Sequence, residues 1–153
     1  GGDLDINGKN MVSTLTNQDI QLVPSGTGRV TVSGSLIVSV NTQIAGHLDK
    51  SISNSITAGS TQTQAGATAL TANINRVTVS GTNGDGVALP TAAAGREILI
   101  INDDSTQTIH IWPGSSFSDV IDGGSADAVD GNALAAGASR RYIAVDSTNW
   151  YTA

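Results

Sequence analysis

Arg76-Val77-Thr78-Val79-Ser80-Gly81 alternates apolar Val with polar or charged neighbours and stops on a Ser-Gly turn, the period-two pattern of a strand with one buried face. The same six-residue word stands at Arg29 to Gly34. Around that first copy lie shorter alternations: Leu4 and Ile6 before Asn7-Gly8, Ile20 and Leu22 before the turn from Pro24 to Gly28, and then Leu36, Val38 and Val40. A strand unit this short cannot bury its face alone, whereas stacked or symmetry-related units can. Around the second copy the runs lengthen, and strands are expected at 67–70, 75–80, 86–89, 97–102, 106–112, 118–121, 132–135, 140–146 and 149–152. The reading is therefore all-β: a short-strand β shaft over 1–40 and a small jelly-roll-like β-sandwich over 67–153.

Between them, 41–66 breaks the rhythm. Val40, Ile44, Leu48, Ile52 and Ile56 recur every four residues, which fits a drifting helical stripe, and all are even-numbered, which fits a strand. A short helix through Gln43 to Ser53 is the favoured reading, with Gly46 against it, followed by a Ser/Thr/Gln/Gly-rich link. A stripe this narrow suits self-association better than packing on a large domain.

Composition narrows the function. The 153 residues are 39% hydrophobic but only 3% aromatic and 13% charged, about half the usual ~25% charged. Val, Ile, Leu and Ala must then build the core, and burial between chains is expected to add what a thin aliphatic core lacks. A net charge of −6 speaks against a nucleic-acid partner, which calls for clustered Lys and Arg. No run of 18 apolar residues is present, so no membrane insertion is expected. The chain has no Cys for disulfides or thiolate metal sites.

Candidate chemistry is sparse. His110 lies out of phase with Ile109 and Ile111 and is expected to face solvent, while His47 falls in the apolar stripe. No Ser sits in a Gly-x-Ser-x-Gly elbow, no phosphate loop is present, and Glu97 is the single Glu, so no enzyme activity and no cofactor are expected. Asp119, Asp122, Asp127 and Asp130 stand among Gly and Asn as the candidate calcium ligands, since calcium takes 6 to 8 oxygens. The same residues are turn formers, and neither the EF-hand nor the nonapeptide calcium spacing is present. Trp112, Trp150 and Tyr151 hold most of the aromatic area and are candidates for stacking on a glycan or for plugging the ends of the sandwich.

The segment from Asn17 through Pro24-Ser25-Gly26-Thr27-Gly28 to Gly34 resembles the strand–turn–strand words of fibre and other virion structural proteins of tailed bacteriophages, notably marine ones. The run from Ala67-Thr68-Ala69-Leu70 through Asn75 to Val79, Val87 to Pro90 and Ala93 to Ile98, with Ile121-Asp122-Gly123-Gly124 and Asn149-Trp150-Tyr151, is similar to a module of the same proteins. The resemblance implies a homotrimeric tail fibre or capsid-decorating protrusion, assembled in the host cytoplasm into a virion with other virion proteins. It brings no catalytic motif. In such a trimer Val30, Val32, Leu36, Val38 and Val40 would face the three-fold axis, with Ile44 and Leu48 continuing the interface. The alternative is a receptor-binding tip that recognises a host surface glycan through the three aromatics.

Overall fold

The computed structural model describes residue 32 and residues 48–114, 118–126 and 128–153. The chain divides into two units, Gly1–Ala45 and Gly46–Ala153, and all nine described strands belong to the second: β1 Ile52–Thr57, β2 Thr68–Ala69, β3 Ile74–Val79, β4 Asp85–Ala88, β5 Glu97–Asn102, β6 Ile109–Trp112, β7 Val120–Ile121, β8 Ser139–Ala144 and β9 Asn149–Thr152. The fold is all-β. One sheet runs β1-β3-β5-β8-β9-β7 and the other β2-β4-β6.

From β1 to β6 successive strands never pair with each other. They alternate between the sheets, and each pairs in parallel with the strand two places on: β1 with β3, β3 with β5, β2 with β4, β4 with β6. A chain that crosses between two sheets at every turn and advances one strand spacing per circuit is a coil, so 52–112 makes three stacked coils of the kind found in β-solenoids. Among the described strands, antiparallel neighbours of the jelly-roll kind occur where β8 pairs with β5 and with β9. The two-sheet sandwich expected for 67–153 is thus wound differently from a jelly roll, because period-two alternation fixes which face is buried but carries no information on strand direction.

The core lies between the sheets. Val77, Ile98, Ile100, Tyr142, Ala144 and Trp150 reach it from the larger sheet, Val87, Ile109 and Ile111 from the smaller. Strand β5 shows the logic: Ile98, Ile100 and Asn102 are buried while Glu97, Leu99 and Ile101 are half-buried on the outer face. The word at Arg76 to Gly81 forms the latter part of β3 and the turn after it. Asp85 fixes that turn by accepting from Gly81 N (2.8 Å), Thr82 N (3.1 Å) and Thr82 Oγ1 (2.9 Å), and Gly84 completes it at φ +93°.

Of the segment 41–66 expected as helix or linker, residues 41–47 lie outside the described residues. Within 48–66 the structure has strand β1 and one 3-10 turn, Gln64–Gly66, capped by Thr63. The β-branched Ile52, Ile56 and Thr57 favour the strand, and β3 supplies its ladder. Ile52 and Ile56 nevertheless face opposite ways, because an extra residue on β1 between Ser53 and Ile56 shifts the register: Ile52 pairs with Ile74 on the outer face, Ile56 with buried Val77. Ile52 is 59% exposed and Ile56 8%. The expected strand at 132–135 is instead an isolated bridge of Leu134 to Ile109.

Candidate functional site

The three aromatics separate. Trp150 and Tyr151 are neighbours on β9, so the pleat sends them to opposite faces: Trp150 is wholly buried beside Ala144 and Tyr151 is 44% exposed beside Ile143. Trp150 is therefore a core anchor and has no face free for a sugar, a correction that its alternation with Tyr151 made readable. Trp112 follows Ile111 on β6 onto the outer face of the smaller sheet, where it is half-buried. Its ring lies over Gly86, close enough that a Cβ there would stand 2.7 Å from Trp112 Nε1. His110, two residues earlier on the same face, lies over Gly84 and is also half-buried.

The acidic residues do not converge either. Buried Asp119 accepts from Ala92 N (2.8 Å) and so ties the 90–95 loop to the approach to β7. Asp122, at φ +51°, accepts from Thr152 N and Thr152 Oγ1, both at 2.9 Å, and ties the turn after β7 to the end of β9. Asp130 accepts from Tyr142 Oη (2.6 Å), Arg140 Nη1 (2.8 Å) and Asn132 N (3.0 Å). Asp127 lies outside the described residues. Among those residues no group of three or more His, Cys, Asp or Glu is placed to hold a metal, so Asp119, Asp122 and Asp130 act as three separate bolts rather than a calcium cage.

Asp130, Arg140 and Tyr142 form the one buried ionic network seen among the described residues. Burial, then the hydrogen bond to Asp130, pushes the Tyr142 hydroxyl far above its ordinary range, so it acts as a fixed donor. The network clamps 130–134 along the β6 flank, where Asp130 N donates to Ile111 O (2.8 Å) and Leu134 exchanges two backbone bonds with Ile109. With β8 against β5, the last coil is thereby covered in both sheets.

Among the described residues nothing covers the first coil. Strand β1 ends the order of the larger sheet and β2 that of the smaller, and no described residue pairs beyond either. Both lie at the same end of the stack, with Ile52 exposed on β1 and Leu48, 68% exposed, just before it. Of the expected interface residues, Val32 is 52% exposed, and Val30, Leu36, Val38, Val40 and Ile44 lie outside the described residues. The open coil edge is the feature that residue-by-residue reading missed, since it follows from parallel winding. No helix among the described residues is long and apolar enough to cross a membrane.

No family model, curated protein or solved structure matches the chain.

Proposed function

We propose that the protein is a structural, non-catalytic component of a tailed-bacteriophage virion, a homotrimeric fibre or capsid-decorating protrusion whose mechanism is assembly. The observation that carries this reading is the asymmetry of the coil stack. One end is covered by β8 and the clamped 130–134 segment, while at the other no described residue pairs with the edges of β1 and β2, and Ile52 and Leu48 are exposed beside them. Open parallel edges are aggregation sites unless another surface covers them, and repeat folds need such a cap at each end. Assembly with further copies of the chain meets both needs without a large aromatic core. The resemblance to virion structural proteins supports the same reading, as does the low charge.

A glycan-binding tip based on the three aromatics is less well supported, since Trp150 is buried and Trp112 half-buried, which leaves Tyr151 alone as a well-exposed ring. Negative-stain images of the isolated protein test the assembly reading. Threefold-symmetric particles are expected, and a field of single small globules would refute it.

A further inference from the structure

Three adjoining depressions, of about 410, 510 and 190 Å³, form one trough along the start of β5, and Asn73 lines all three. Of the five described Lys and Arg residues, Lys50, Arg96 and Arg141 line this trough, against the single carboxylate of Glu97. In a chain of net charge −6 this is a local reversal of sign.

The trough is held in shape. Asn73 is fixed from three sides: its N–H donates to Ser51 Oγ (3.0 Å), Ser51 Oγ donates to its Oδ1 (2.8 Å), and its Nδ2 donates to Glu97 O (3.2 Å). Lys50 Nζ pairs with Glu97 at 3.1 Å, which neutralises one cation. Arg96 stands on a loop pinned to β8 by Gly95 N to Ala144 O and Ala144 N to Arg96 O, both at 2.9 Å. Its guanidinium spends Nη1 on Thr91 O, a carbonyl, and among the described residues it has no carboxylate partner. Arg141 is exposed on β8 beside Leu99, and among the described residues its side chain has no ion pair or hydrogen bond. The other two described arginines, Arg76 and Arg140, are paired with Asp103 and Asp130.

We propose that this trough binds an anionic polysaccharide carrying widely spaced carboxylates, with Arg96 and Arg141 each receiving one carboxylate. Two guanidiniums are too few for a nucleic acid, which carries one charge per 3.4 Å of strand, and the acidic remainder of the chain repels so dense a polyanion. Guanidinium forks suit planar carboxylates. Beside Arg141 the wall carries polar Asn73 with half-buried Ile74 and Leu99, a mixed surface that suits the hydroxyl and C–H faces of a sugar ring. The proposal concerns a single chain and does not depend on the oligomeric state.

The test is calorimetric titration with a hyaluronate hexasaccharide, which carries a carboxylate on every second ring, alongside maltohexaose as its neutral counterpart and polyaspartate as an acidic peptide of equal charge. The hyaluronate hexasaccharide is expected to bind at least tenfold more tightly than either. Arg96→Gln with Arg141→Gln should weaken it at least tenfold at unchanged melting temperature, and each single variant should weaken it severalfold, while Arg76→Gln, which removes as much charge as either single variant but outside the trough, should leave it unaltered. On the unmodified protein, amide chemical-shift changes should centre on Lys50, Asn73, Arg96 and Arg141. Equal binding of polyaspartate or maltohexaose, an equal loss in Arg76→Gln, or shifts centred elsewhere would each overturn the proposal.

Discussion

Gly59 sits where the chain leaves β1 for the other sheet, and a Cβ built on it would lie 1.9 Å from Gly66 O. The obstacle is backbone, so it cannot swing aside. Gly59→Ala should cost about 1–3 kcal/mol through forced displacement of the 58–67 connection, read as a lowered midpoint in urea at unchanged slope. Carboxylates set the acid limit of the fold. Backbone N–H groups of Thr106, Gln107 and Ser80 hold Asp104 down at about 2. Burial alone would raise Asp85, but bonds from Thr82, Gly81 and Gln62 together outweigh it and lower the group, and the N–H of Thr148 with the amide of Asn149 lowers Asp146. A depressed carboxylate is stabilising above its ordinary value and loses that contribution as it protonates. The melting temperature should therefore fall as pH drops from about 4 toward 2. Asp104→Asn should flatten part of that fall, and an unchanged profile in this variant would remove Asp104 from the explanation.

At the scale of elements, stability depends on how the last coil is closed. Tyr142→Phe removes the hydroxyl that donates to buried Asp130 and should cost about 1–2 kcal/mol. Asp130→Ala removes the carboxylate that Tyr142 and Arg140 share, leaving Arg140 without its counter-charge and with the Asn132 carbonyl as its main acceptor, and should cost more, about 2–4 kcal/mol. Chemical denaturation of both variants checks the order, and equal effects would mean that Arg140 contributes nothing through the pair. Strands with alternating side chains were legible in the sequence: Ile98, Ile100 and Asn102 point inward as their spacing requires, and the repeated word forms the latter part of β3 and the turn after it. Strand β1 was not legible as such, because Ile52 and Ile56 fit a helix and a strand equally and the bulge between them erases the alternation. Leu134 reads as part of a strand but makes only a bridge, since the Asp130 clamp rather than a ladder holds it. Direction of pairing left no mark at all, so the coil winding was invisible until the partners were known.

At the scale of the molecule, the features on which the two proposals rest were also the least legible. Trp150 and the acidic residues stood out by composition, yet Trp150 is core, and Asp119, Asp122 and Asp130 are bolts between separate segments. By contrast, Lys50, Asn73, Arg96 and Arg141 are scattered along the chain and meet only because β3, β5 and β8 are neighbours. The open coil edge likewise exists only in three dimensions. It predicts that charge placed there will hinder assembly: Ile52→Lys should shift the protein toward monomer while leaving the circular dichroism of the sheets unchanged, because Ile52 is on the outer face and Ile56 holds the core. The central claim, that the coil stack is completed between copies of the chain, is tested most directly by light scattering coupled to size exclusion at micromolar concentration. The account predicts a particle of three times the 15.4 kDa chain mass, and a homogeneous monomer would contradict it.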